Sequence, residues 1–236
     1  MITLPPPVSL KSWLSFGLED TTLLRSMENE LIKRIKLVGR SLDVGGGKGF
    51  GYVRQIEIIG KLDSINISAA LEPTVVADLN DTLPIPDDAY DNVICFNTIE
   101  HVFDEHKLLA EMLRVIRPGG RLIITAPFLY RGHGTYGDYH RHTADYWESA
   151  LVDQGWNTNA FVVQPLVWCP LSTALTSLAW FRGGIRGRVM KLFVMALELV
   201  RSMLPGRRKA RHAYKDWALA FFIDGIKPVG AEEALR

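Results

Sequence analysis

The sequence predicts an α/β fold with a largely parallel sheet, and three observations carry that prediction. Short apolar segments alternate with segments of helical spacing, and a glycine-rich loop follows directly on one of the apolar segments. In addition, 236 residues of which 47% are hydrophobic and 22% charged supply enough apolar surface for one substantial core. The expected organisation is a single domain. It has an N-terminal arm and helix over 1–40, a core over 41–164, an apolar and basic helical insertion over 165–215, and a last strand with a tail over 216–236.

Leu24, Met27, Leu31 and Ile35 recur at helical spacing and place a helix before the first strand. Strands are expected at 41–44, 64–67, 75–77, 92–96, 121–125 and 218–223. Between the fourth and fifth of these, Leu108, Leu109, Met112, Leu113 and Ile116 form one apolar helix face. Asp104 can cap its start, and Pro118-Gly119-Gly120 stops it. A further helix is expected from Thr143, with Asp145 in its first turn, to about Gln154 before Gly155.

A formal net charge of +1 gives no global argument for an acidic or nucleic-acid partner. The balance is local: the cations from Arg182 to Lys215 are answered by a single acid, Glu198. A segment of this kind suits a buried helical subdomain, a lid, a homodimer surface or peripheral attachment to an anionic membrane. The stretch 156–181 carries no charge, but Pro165 and Pro170 argue against a spanning helix. The N-terminal MITLPPPVSLKSWL reads as an extended arm without the cationic start of a secretion signal. Cys95 and Cys169 lie in apolar runs, which fits packed free thiols and a cytoplasmic setting, with contact to the inner face of the membrane if the basic segment attaches there.

The stretch LDVGGGKGF places closely spaced glycines after a strand and, by expectation, before a helix. Backbone can approach a ligand at such a place. The dinucleotide fingerprint fails, because Phe50 or Tyr52 stands where its third glycine is required. The phosphate-loop pattern fails because Lys48 is followed by Gly49. Asp43 would repel a pyrophosphate and accept a hydrogen bond from an ammonium group.

Asp43, Gly45, Gly47 and Gly49, with Gly46 between them, resemble the first motif of class I S-adenosylmethionine-dependent methyltransferases. The likeness continues through Asp78-Leu79, Leu83-Pro84, Tyr90-Asp91, Asn97-Thr98-Ile99-Glu100-His101 and Arg117-Pro118-Gly119-Gly120-Arg121, and covers roughly 40–160. The resemblance implies a three-layer Rossmann-like fold with a mostly parallel seven-stranded sheet and helices on both faces. It also implies S-adenosyl-L-methionine as cofactor, contacted by Asp43, Gly45, Gly46, Gly47, Gly49, Asp78, Leu79, Asn97, Thr98, Glu100 and His101. Asn66 stands where the family usually has an acid for the ribose hydroxyls, so weaker binding, or help from Asp63 or Glu72, is the expected consequence. His101 has two readings, a cofactor contact or a residue packed over the following helix start.

After the fifth strand, His133, Asp138, His140 and His142 gather beside Tyr130, Tyr136 and Tyr139. His133, Asp138, Tyr139, Arg141 and Thr143 resemble the acceptor loop of a subgroup of small bacterial methyltransferases, which implies a polar small-molecule, saccharide or glycolipid-type acceptor. A hydroxyl acceptor benefits from a base of pKa near 7, so His140 or His133, oriented by Asp138, is the expected catalytic residue. The competing reading makes Asp138 and Arg141 an ion pair and Thr143 a helix cap. Asp138, His140 and His142 are metal-ligand types, but their spacing has no zinc pattern and no metal is expected.

The expected activity is therefore transfer of a methyl group to oxygen by direct displacement. A catalytically silent cofactor-binding scaffold is the alternative from another class, and methylation of nitrogen or nucleic acid is a third. Asn97-Thr98-Ile99-Glu100 departs from the Asn/Asp-Pro-Pro-Tyr stretch of amide and amine methylators. The cations near the end of the chain interleave with aliphatic runs, so no nucleic-acid partner is expected.

Overall fold

The computed structural model describes residues 22–134, 136–167 and 215–229, with isolated positions between 170 and 200. Within them the chain runs α1 (Leu23–Ile32), β1 (Lys36–Val44), β2 (Glu57–Asn66), β3 (Val75–Val76), β4 (Tyr90–Phe96), α2 (Glu105–Val115), β5 (Ile116–Pro127), α3 (Ala144–Asp153), β6 (Phe161–Leu166) and β7 (Ala220–Ile226). The strands form one seven-stranded sheet in the order β3-β2-β1-β4-β5-β7-β6. It is parallel except at β7, which runs antiparallel to β5 and β6. This is the mostly parallel, three-layer Rossmann-like sheet that the resemblance implies.

Side chains of β4 and β5 alternate between two apolar layers, as the period of a strand requires. Val93, Cys95, Leu122 and Ile124 pack with Leu108, Leu109 and Met112 of α2 and Trp147 and Leu151 of α3. Ile94, Phe96 and Ile123 pack with Leu23, Leu24 and Met27 of α1 on the other face. Each helix begins on a capped turn: Thr22, Asp104 and Thr143 accept from the backbone N–H of Arg25, Lys107 and Tyr146. The caps expected at Asp104 and Thr143 are both present.

Several boundaries differ from expectation. No α-helix follows the glycine loop. A 3-10 turn at Val53–Gln55 leads directly into β2, which pairs with β1 from Lys36↔Glu57 to Val44↔Ile65. Ile56, at the end of that turn, is buried among Leu23, Leu24 and Met27 of α1. The helix α2 stops at Val115, before Pro118, and Ile116 pairs with Tyr90 as the first residue of β5. The uncharged stretch after Trp156 supplies β6, an edge strand, where Pro165 removes no ladder donor that a further neighbour needs.

Cys95 is buried and free. Residues 1–21, which include the expected N-terminal arm MITLPPPVSLKSWL, lie outside the described residues, as do Cys169 and most of the insertion expected over 165–215. Among the described residues no helix is long and apolar enough to cross a membrane.

Candidate active site

The carboxyl ends of β1, β2 and β4 open onto a cleft of about 790 Å³. Open α/β sheets take their ligands in this position. Of the residues expected to hold the cofactor, Gly45, Asn66, Asp78, Leu79, Asn97, Thr98 and His101 line it, joined by Phe50, Tyr52, Ile67, Leu71 and Tyr139.

The glycines of the loop are required by close approach. Gly45 has φ +83, and a Cβ there would collide with Thr98. A Cβ on Gly46 would collide with the Asp43 carboxylate, and one on Gly47 with the backbone oxygen of Leu71. Gly49 has open space around it but φ +90, so its requirement is conformational alone.

Asp43 is 1% exposed. Its Oδ2 accepts from the Tyr52 hydroxyl at 2.7 Å, and its Oδ1 is buried without a hydrogen-bond partner. Burial raises its pKa from 3.8 to about 7, although the Tyr52 bond pulls the other way. An orphan carboxylate oxygen beside a glycine loop fits an ammonium donor.

Asn66 does more than stand in for an acid. Its Nδ2 donates to the backbone oxygens of Gly45 at 2.6 Å and Gly46 at 3.2 Å, and its Oδ1 accepts from Ser68 N at 3.0 Å. The two acids offered as substitutes do not line the cleft. Asp63 is held by Arg40 at 3.0 Å, Lys61 at 2.8 Å and the Tyr90 hydroxyl at 3.2 Å. Glu72, at φ +43, pairs with Lys48.

Asp78 Oδ1 accepts from both the backbone and the side-chain nitrogen of Asn80 at 2.9 Å, which lowers its pKa and leaves Oδ2 available. Asn97, at φ +48, donates from Nδ2 to Glu28 Oε1 at 3.0 Å. Glu28 is a site residue the sequence reading missed. It lies on α1 among apolar neighbours, burial pushes its pKa up, and only the fold brings it under the end of β4.

Glu100 does not line the cleft, yet it organises the cleft's rim. It is 1% exposed with neither carboxylate oxygen hydrogen-bonded, and burial raises its pKa from 4.5 to about 8. The Nε2 atoms of His101 and His133 lie 3.7 and 3.8 Å from it, with the two rings edge-on at 5.0 Å. His101 also donates from Nδ1 to the Gly137 oxygen at 2.5 Å, and Tyr139 N donates to the Glu100 backbone oxygen at 2.8 Å. The loop after β5 is thus sewn to the end of β4.

Asp138 accepts from Arg141 at 2.5 and 2.7 Å and from His133 N at 2.6 Å. Against the upward push of burial, these bonds bring its pKa down to about 2. The ion-pair reading of Asp138 and Arg141 therefore holds, and the same carboxylate lies 3.5 Å from His133 Nδ1. His140 is engaged elsewhere: its Nε2 faces Glu105 at 2.5 Å and the Phe103 oxygen at 3.1 Å, and it does not line the cleft. Asp138, His140 and His142 are not brought together. Glu105, not singled out in the sequence, is the acid that both histidines face.

The glycine loop admits backbone contact, the Asp43 oxygen fits an ammonium, and Asp78 beside Ile67, Leu79 and Val102 fits a purine with an exocyclic amine. The residues present therefore fit S-adenosyl-L-methionine.

Comparison with known proteins agrees. A family model described as a methyltransferase domain matches residues 42–124. A candidate S-adenosylmethionine-dependent methyltransferase of Mycolicibacterium smegmatis is 30% identical over 95 residues, which are 36% of this chain and 37% of that protein. The ubiquinone/menaquinone biosynthesis C-methyltransferase UbiE of Geotalea daltonii is 28% identical over 131 residues, 47% of this chain and 54% of that protein. The chain thus spans between about a third and about half the length of these curated relatives.

Among solved structures, phosphoethanolamine N-methyltransferase 2 of Haemonchus contortus, in complex with S-adenosyl-L-methionine, superposes with TM-score 0.52 at 17% identity, covering 94% of this chain and 60% of that one. A chain from the complex between the Haloferax volcanii Trm112 methyltransferase activator and a candidate methyltransferase gives TM-score 0.54 at 15% identity, covering 92% and 94%. These structures are alike in fold. Residues 42–124 thus carry a methyltransferase domain, and the sheet built around it has the strand order of the class I, Rossmann-like methyltransferase fold.

Proposed function

We propose that the protein transfers the methyl group of S-adenosyl-L-methionine to a hydroxyl oxygen of a polar small-molecule, saccharide or glycolipid-type acceptor. The observation that carries this reading is the continuity of one cleft from the glycine loop at Gly45 to His101 and Tyr139 on the acceptor side. The sulfonium cofactor supplies an already activated methyl group, so the chain's own residues need only bind, align and accept a proton. Asp43 and Gly45 would hold the amino-acid end, Asn66 would shape the loop around the ribose, and Asp78 with Leu79 would meet the base.

His133 does not line the cleft, but it packs edge-on against His101, which does, and it would be the proton acceptor in this reading. Burial, with the adjacent His101, lowers its pKa below 6.5, so the ring is neutral and basic near pH 7. Asp138 lies 3.5 Å from its Nδ1, which has no hydrogen-bond partner, and would orient the ring by closing that gap. Carbon is the second acceptor class, favoured by the likeness to UbiE, and would require the same cofactor cleft with an acceptor carbon activated by a neighbouring hydroxyl.

Incubation with methyl-labelled cofactor and a panel of saccharides, glycolipid precursors and phenols tests the proposal. Base-stable label on a saccharide oxygen is expected. Label found on ring carbon overturns the oxygen reading, and cofactor binding without turnover on any extract supports a silent scaffold. The basic stretch between 165 and 215 would bring lipid-linked acceptors to the cleft. Retention on anionic liposomes that is lost as salt rises tests that part.

A further inference from the structure

We propose that Glu105, His140 and His142 form a binding site for a zinc-class divalent transition-metal ion that fastens the acceptor loop to the start of α2. The three residues come from two segments far apart in sequence, yet their ligand atoms all lie within 4.8 Å of one another. His140 Nε2 is 2.5 Å from Glu105 Oε2, and His142 Nε2 is 3.0 Å from Oε1. Two imidazole nitrogens and one carboxylate are the protein ligands of an open tetrahedral site, with metal bonds of about 2.0–2.2 Å. Tetrahedral ligand atoms stand about 3.3 Å apart at those bond lengths, so an ion entering here needs the His140 pair to widen by about 0.8 Å and the His142 pair by about 0.3 Å.

The surroundings aim the ligands. Glu105 sits in the first turn of α2, immediately after the Asp104 cap, so its backbone is anchored. The Tyr146 hydroxyl donates to Oε1 at 3.0 Å, an outer-shell bond that fixes the carboxylate. The His142 ring stacks on Tyr146 at 3.5 Å and 10°, and His140 lies parallel to His142 at 5.4 Å and 13°. Parallel rings point both Nε2 atoms at one acid.

Charge supplies a second reason. The Glu105 carboxylate is 8% exposed, and among the described residues it has no Lys or Arg ion-pair partner. A buried carboxylate ordinarily pairs or coordinates. His140 and His142 retain 23% and 19% side-chain exposure, which leaves a path for an ion and room for water as fourth ligand.

The consequence is positional. His140 follows Tyr139, which lines the cleft, and His142 precedes the Thr143 cap of α3. An ion here holds the second half of the acceptor loop in place without touching the methyl group, and the inference does not depend on the identity of the acceptor.

The test uses the whole chain without a histidine tag, stripped with chelator and titrated with Co²⁺ alone, then with Zn²⁺ in competition. One equivalent should bind with the visible absorption of four-coordinate Co²⁺, be displaced by Zn²⁺, and raise the melting temperature of the wild type. Glu105→Gln and His142→Ala, checked by circular dichroism, should weaken binding by about 100-fold or more. His133→Ala, which removes a member of the neighbouring Glu100, His101 and His133 cluster, should bind as the wild type does. A wild type that takes up no Co²⁺ or Zn²⁺ overturns the proposal whatever the variants do. So does Co²⁺ binding that survives in Glu105→Gln and His142→Ala, or that is lost in His133→Ala.

Discussion

The side-chain amide of Asn66 donates to the backbone oxygen of Gly45 at 2.6 Å and so ties the end of β2 to the turn that follows β1. A carboxylate at this position has no hydrogen to donate and would face two carbonyl oxygens, those of Gly45 and Gly46. Asn66→Asp, which introduces an acid at this position, is therefore expected to weaken cofactor binding by tenfold or more, the effect of losing about 1–3 kcal/mol. Calorimetric titration with S-adenosyl-L-methionine measures it. Affinity equal to or above the wild type would show that the amide is a passive substitute.

Gly45→Ala should damage the same turn by a different route. The residue has φ +83, and its added methyl would strike Thr98 on the β4 side of the cleft. Strain of about 1–3 kcal/mol is expected, with a fall in both thermal stability and cofactor affinity. Gly49→Ala has the strained φ but no collision, so its loss should be the smaller of the two in parallel melts.

Two buried acids set a pH dependence. Burial lifts Asp43 from 3.8 to about 7 and Glu100 from 4.5 to about 8. Each binds its proton more tightly in the folded chain than in the unfolded one. Their stabilising contribution is therefore complete below about pH 4 and is lost as pH rises through about 7 and 8. The melting temperature should decline across that window. Glu100→Gln, which keeps a neutral group there, should flatten the alkaline part of the decline; an identical slope in this variant would exclude Glu100 as its source.

His133 and His140 separate by kinetics. If His133 takes the proton, His133→Gln should lower kcat by about 10²–10⁴-fold with little change in cofactor affinity, and the wild-type rate should rise with pH through a value below 6.5. His140→Gln, whose Nε2 faces Glu105 away from the cleft, should alter acceptor KM more than kcat. Equal losses of kcat in the two variants would contradict this assignment.

Asp63→Asn tests whether that acid assists the ribose. Its partners are Arg40, Lys61 and Tyr90 on β1, β2 and β4, none of which lines the cleft. Stability should drop by about 1–3 kcal/mol while cofactor affinity holds. Weaker binding at unchanged stability would return Asp63 to the site.

Local patterns made much of this protein readable in advance. The caps at Asp104 and Thr143 are bonds between near neighbours, and the apolar runs of β4 and β5 record burial on both faces of a sheet. The glycine loop announces a close approach because nothing else tolerates its conformations. By itself the sequence therefore determined the alternating α/β architecture and the glycine loop that follows β1.

Three features were decided only by tertiary contact. From Glu57 to Ile65 the chain pairs along β1 rather than winding into a helix, because register with nine neighbouring residues outweighs a weak local preference. Glu28 meets Asn97 across 69 positions, and Glu105 meets His140 and His142 across 35 and 37. No spacing rule reaches that far: which acid faces which histidine depends on how the layers stack, and that is fixed by the shape of the shared core.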